Sequence, residues 1–104
     1  MRNLIAGLIL ASAVALAAEP SQHSTKPKSG YVPDAATAIK IAVAVWEPIY
    51  GSEAIGKQKP YRARLKDGVW IVEGTLSPPT DLGGYAVAEI AQDDGRILRV
   101  THGR

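Results

Sequence analysis

Residues 60–76 read PYRARLKDGVWIVEGTL, two alternating runs on either side of Asp67-Gly68, and this stretch decides the fold. Asp-Gly between such runs favours a two-residue type I′ turn, because both central positions need positive φ. A two-residue loop then sets the register: Lys66 faces Val69, Leu65 faces Trp70, Ala63 faces Val72 and Tyr61 faces Gly74, so one face of the ribbon is apolar. The opposite face pairs Arg62 with Glu73 and Arg64 with Ile71, a charge pair and a mixed contact suited to solvent or to a partner.

Downstream, SPPTDLGG at 77–84 is a loop by composition, with prolines and glycines that a central strand would not hold. Two more strands follow, GYAVAEIA at 84–91 and RILRVTH at 96–102. Their connection contains Asp93-Asp94-Gly95. A three-residue loop with Gly95 left-handed sets Ile90 opposite Leu98, Ala88 opposite Val100 and Glu89 opposite Arg99. A four-residue loop would put Glu89 against Leu98, so the first register is preferred: it keeps apolar residues on one face and matches charge with charge.

Upstream, Val32-Pro33-Asp34 opens a helix over 35–47, with Asp34 placed to accept from the free amides of the first turn. Polar residues are confined to Thr37, Lys40 and Glu47, in a narrow stripe with Ala44. Ile39, Ile41, Val43, Val45 and Trp46 make the rest apolar, more widely than an exposed amphipathic helix requires. One flank is expected on the sheet and the other against a second helix, a loop or another chain. Pro48 is expected to end this helix and to begin a short second one over 48–55, closed at Gly56.

The fold class expected is α+β: a long N-terminal helix and a short helix packed on a four-stranded antiparallel meander. A thirteen-residue helix or an isolated hairpin is marginal alone, near the limit of ~12–15 residues for a free helix. Burial of Trp46, Trp70, Leu65, Val72, Ile90 and Leu98 between them, at roughly 1.5–3 kcal/mol for each large apolar side chain, is expected to hold the domain.

The first residues, MRNLIAGLILASAVALAAEP, combine Arg2, an apolar run from Leu4 to Leu16 and small residues at Ala15 and Ala17. This is the pattern of a secretory signal peptide over 1–17, cleaved before Ala18. The run is shorter than the ~20 apolar residues of a membrane span, so no stable membrane insertion is expected after cleavage. Residues 18–31, rich in Pro, Ser and Lys, read as a flexible linker to a domain over 32–104. The expected destination is the periplasm or the outside of a bacterial cell.

Cleavage removes Arg2 and leaves eleven basic and ten acidic side chains, a net charge of +1. No whole-molecule attraction to nucleic acid or anionic lipid follows, and nucleic acid is not an expected partner. Cysteine is absent, which excludes disulfides, thiol catalysis and thiolate zinc sites. Packing alone, or packing with self-association as a homodimer, must hold the fold.

Catalytic patterns are also missing. Ser52 and Ser77 lack a nucleophile-elbow context, no glycine-rich phosphate loop joins a strand to a helix, and Asp93-Asp94 reads as turn chemistry. His23 falls in the linker with no second ligand nearby. His102 falls on the core-facing side of the last strand, where a buried or half-buried histidine is the ordinary case and a pocket with Tyr61 or Tyr85 the alternative. No catalytic residue, metal site or cofactor is expected.

Three segments, AIKIAVAVWEPIYG, KPYRARLKDGVWIVEGTL and GGYAVAEIAQDDGRILRVTHG, resemble the NTF2-fold immunity proteins of bacterial polymorphic toxin systems. The most specific pieces are DGVW and GTL of the hairpin, Gly83-Gly84, and the final DGRIL with its terminal His-Gly. The resemblance runs from about Val32 to Gly103. It implies a reduced NTF2-like or cystatin-like cone, no catalytic activity, and a toxin–antitoxin role in neutralising a cognate toxin by protein–protein binding.

Two readings stand beside each other. In the first, the protein binds a toxin through the outer sheet face at Arg62, Arg64, Glu73, Tyr85 and Arg99, a basic surface unlike a DNA mimic. In the second, it is a small periplasmic ligand-binding or envelope-associated module with a pocket between helix and sheet near Tyr50, Tyr61 and His102.

Overall fold

Asp67 at φ 51° and Gly68 at φ 76° form the left-handed pair that a type I′ turn demands, and the sheet grows outward from it. The structure, a computed structural model, describes residues 23–76 and 84–103. The expected signal peptide and nearly all of the 77–84 loop lie outside those residues. The elements are α1 (Ala35–Tyr50), α2 (Ser52–Gly56), β1 (Arg62–Lys66), β2 (Val69–Glu73), β3 (Tyr85–Ala91) and β4 (Ile97–Gly103). The strands form one antiparallel sheet in the order β1-β2-β3-β4, so the α+β meander expected from the sequence is the fold observed.

The hairpin register agrees with expectation at every pair from Arg62–Glu73 to Lys66–Val69. Between β3 and β4, Ala88–Val100 and Glu89–Arg99 also pair as expected, but Ile90 pairs with Ile97 rather than Leu98. A register shift between Glu89 and Ile90 accounts for the difference. Asp94 explains where the chain reverses: its carboxylate accepts from the Arg96 amide at 3.0 Å, while Gly95, at φ 79°, donates its own amide to the Ala91 carbonyl at 2.9 Å. The Ala91 amide donates to Arg96 O at 2.9 Å. That closure brings Ile97 against Ile90 one residue early, and Leu98 is absorbed as the extra residue of a bulge.

Asp34 caps α1 from an extended backbone, φ −142° and ψ 168°. One of its carboxylate oxygens accepts from Thr37 N at 2.8 Å and from Thr37 Oγ1 at 2.6 Å. These two bonds hold the carboxyl below its ordinary range, with Thr37 Oγ1 the larger cause.

Pro48 does not end the helix. α1 continues through it to Tyr50, and the break falls at Gly51, whose φ of 95° suits glycine and whose amide donates to Glu47 O at 2.8 Å. The proline leaves only the Ala44 carbonyl without its helical donor, and Ala44 is exposed, where solvent can take the place of the lost donor. The short second helix accordingly starts at Ser52, not at Pro48.

α1 lies over β1, β2 and β3. Alanines at the contact, Ala38 and Ala42 on the helix and Ala86 and Ala88 on β3, let the backbones approach closely around Trp46, Trp70, Val72 and Ile90. Two residues expected in this core are not in it: Leu65 is 46% exposed and Leu98 42%. Leu98 is on β4, which the body of α1 does not cover, and Leu65 stands toward the turn end of β1, where Ala63 and the preceding Tyr61 are the residues packed against the core. Val32 and Ile55, at 1% and 0% exposure, complete the core instead.

The part of the 18–31 segment that the structure describes is tied down at its C-terminal end. Lys26 Nζ meets Asp93 Oδ1 at 2.6 Å, and Tyr31 and Val32 donate their amides to Asp93 O and Gln92 O at 2.9 and 3.0 Å. Gly30, at φ 112°, passes so close to Gln92 that a Cβ there would run into the Gln92 carbonyl.

Candidate functional site

Successive rows across the outer sheet face bring the expected docking residues together. One row runs Arg62, Glu73, Val87, Thr101, and the next Arg64, Ile71, Glu89, Arg99. Tyr85 sits opposite Gly103, over which its ring closes: a Cβ at Gly103 would stand 3.0 Å from the phenolic oxygen. All five expected residues therefore share one face, spread over four strands.

Their electrostatic states differ. Arg99 donates through Nε and Nη2 to Glu89 Oε2 at 3.2 and 2.9 Å, so its charge is already matched. Arg62 and Glu73 stand opposite each other without forming an ion pair among the described residues. Arg64 and Lys66 likewise have no acidic partner there, and all three cations of β1 are exposed.

Arg62, Arg64, Ile71 and Glu73, with Ala63, line a depression of about 520 Å³. Ile71, not singled out from the sequence as a docking residue, supplies apolar lining to the depression that Arg62 and Arg64 share. The signal was present in the register, which sets an isoleucine opposite Arg64 on the face otherwise given to charge.

The second expected group divides. The Tyr50 hydroxyl and His102 Nδ1 are 3.5 Å apart, and their rings meet edge to face at 88° with centroids 6.1 Å apart. Both line a cleft of about 200 Å³ with Ala54, Gln58, Gly84, Tyr85 and Ala86. His102 belongs to the helix-facing side, opposite Ala86, as the alternation requires. It is exposed rather than buried: β4 is an edge strand, met at His102 by Tyr50 at the C-terminal end of α1 and not covered by the body of the helix.

Tyr61 does not join that cleft. Its hydroxyl donates to Ile55 O at 2.8 Å and its ring packs on Trp46, centroids 5.9 Å apart. Burial, with a smaller effect of Glu47, pushes its phenol pKa up. Its role is to fasten α2 to the core.

Gln58 is a further residue that sequence reasoning missed. Its side-chain oxygen accepts from Ala86 N at 2.8 Å, and its carbonyl accepts from Thr75 N at 2.7 Å. The side chain lies over Gly74, where a Cβ would collide with it. A glutamine in a GKQK stretch carries no pattern that announces such a brace.

No group of three or more His, Cys, Asp or Glu able to hold a metal occurs among the described residues, and no described helix is long and apolar enough to cross a membrane. The outer face carries the exposed side chains of Arg62 and Arg64 beside the half-buried Ile71.

Comparison with known proteins supplies the relationship. Residues 37–104 match a family model described as NTF2 fold immunity protein. The chain is also 36% identical over 73 residues to an uncharacterised protein, YhhH, of Escherichia coli (strain K12); the match covers 70% of this chain and 58% of that protein's length. No solved structure matches. The matched residues take in nearly all of α1, the hairpin and both later strands, and on that extent the chain belongs to the NTF2 fold immunity protein family.

Proposed function

We propose that the protein is an exported immunity protein that neutralises a cognate bacterial toxin by binding it through the outer face of the sheet, at Arg62, Arg64, Glu73, Tyr85 and Arg99. Family membership supports the class of activity. The observation that carries the choice of face is the pair Arg62 and Arg64, exposed, without an acidic partner among the described residues, and set around the apolar Ile71. Cations flanking an apolar patch are enriched where protein partners dock, because the guanidinium forks choose orientation while the centre excludes water.

Binding rather than catalysis is the proposed mode, and the periplasm or cell exterior the proposed place, the latter resting on the signal-peptide pattern of residues 1–17. The test is capture of the protein products of adjacent genes on the immobilised protein, compared with an Arg62→Glu/Arg64→Glu variant. Capture of a toxin that the variant loses at least tenfold, with its fold intact by circular dichroism, is expected. Equal capture by both would reject the outer face.

The Tyr50–His102 contact at a cleft favours a second reading, a small-ligand module. Here the same charge reversal leaves ligand binding intact, and Tyr50→Ala with His102→Ala removes it.

A further inference from the structure

β1 is the outermost strand on its side of the sheet, and no strand pairs with its free edge among the described residues. Four of its five residues are exposed, so its unpaired backbone groups lie open to a partner. The two faces of this edge differ sharply. Arg62, Arg64 and Lys66 occupy one, with no acidic partner among the described residues. Ala63 and Leu65 occupy the other, and Leu65, 46% exposed, extends the apolar row Trp70–Ile90 beyond the helix.

We infer that β1 is a strand-addition site, taking an extended segment whose side chains alternate between acidic and apolar. Its acidic side chains lie against Arg62, Arg64 and Lys66, and its apolar ones continue the Leu65 row. This rests on the toxin-binding reading and names what the toxin offers. Main-chain bonds supply affinity in such pairing, and the alternating side chains supply specificity. The depression bounded by Arg62, Arg64, Ile71 and Glu73 lies alongside on the outer face and receives the longer acidic side chains.

A second copy of the chain is the wrong occupant. Two β1 strands meeting antiparallel about a two-fold axis would set Arg64 against Arg64 and Arg62 against Lys66, and like charges directly opposite are destabilising. The same cationic row that bars self-pairing therefore selects an acidic strand.

The probe is an acetylated, amidated heptapeptide of alternating Glu and Val, titrated into the ¹⁵N-labelled protein at low salt. Amide shifts and slowed exchange confined to residues 62–66 and their β2 neighbours are expected. Affinity should fall at least tenfold in 0.5 M salt, in the Lys/Val peptide, in Arg62→Gln/Arg64→Gln, and in a peptide with its two central valines replaced by proline. Equal binding of the proline peptide, shifts centred on Tyr50 and His102, or no binding at millimolar peptide by the folded protein would each overturn strand addition. A toxin that is captured through Arg62 and Arg64 while exchange at 62–66 stays unchanged would overturn strand addition and leave the docking face standing. Failure to capture any toxin, with peptide addition at β1 intact, would count against the toxin reading instead.

Discussion

The indole Nε1 of Trp70 donates a buried hydrogen bond to the carbonyl oxygen of Val32 at 2.7 Å, across 38 positions of sequence. Val32's own amide donates to Gln92 O at 3.0 Å, and the Gln92 amide donates to Gly68 O at 2.9 Å. The approach to α1, the β1–β2 turn and the β3–β4 turn are thus lashed at one point. Each bond is worth about 1 kcal/mol net, but breaking one strands a buried polar group, which costs about 1–3 kcal/mol.

The two tryptophans should therefore respond differently to the same change. Trp46 is fully buried, yet its Nε1 has no hydrogen-bond partner among the described residues. Trp46→Phe removes volume and an unpaired donor together, whereas Trp70→Phe removes volume and leaves the Val32 carbonyl unpaired. Trp70→Phe should be the costlier by about 1–3 kcal/mol, and Trp70→Ala should lose ~3–5 kcal/mol. Urea unfolding of the three variants measures this, and equal midpoints for the two phenylalanine variants would refute it.

Two left-handed glycines separate strain from collision. Around Gly68 a Cβ meets nothing within 4 Å, so Gly68→Ala should cost only the conformational penalty of about 1–2 kcal/mol. Gly30→Ala adds a clash with backbone, Asp93 Cα standing 2.8 Å from the new atom, and should melt lower still. Thermal melts monitored by circular dichroism give the order.

Gln58→Ala removes the acceptor from Ala86 N and should destabilise by about 1–3 kcal/mol. Gln58→Glu keeps an acceptor oxygen at that place and should recover most of the loss above the carboxyl's pKa. Faster hydrogen exchange at the Ala86 amide in the alanine variant, but not in the glutamate variant, is the expected signature.

Asp34 offers a pH test. Its carboxyl is held below its ordinary value of 3.8, so its contribution is present above that value and fades as pH falls through the folded pKa. Asp34→Ala should melt below the wild-type protein at pH 7, with the gap shrinking below about pH 4. A gap of constant size from pH 7 to pH 2.5 would show that the cap acts without its charge.

Local chemistry set the β1–β2 turn and the start of α1 as expected, while at the β3–β4 turn the Asp94 and Gly95 bonds closed the chain one residue early. Asp67-Gly68 determined a turn, the turn determined the β1–β2 register, and alternation then assigned Arg62, Arg64 and Glu73 to the face opposite Trp70. Asp34 determined where α1 begins. The depression at Ile71 was also legible, since it follows from the same register.

Pro48 marks where local reading stops, because whether a missing amide breaks a helix depends on where the orphaned carbonyl lies in the fold, and Ala44 is on the exposed side of α1. Alternation likewise placed Leu65, Leu98 and His102 only relative to the sheet. Which of them is covered was decided by the path of one helix, which lies over β1, β2 and β3, packs on β1 at Ala63 rather than Leu65, and leaves most of β4 open. Local chemistry in the chain was enough for the Asp67-Gly68 turn, the Asp34 cap and the faces of β1 and β2, because those depend on dihedral preferences and a two-residue period. The tertiary structure alone decided that Val32 is core while Leu65 and Leu98 are not, because burial depends on how far the covering element reaches.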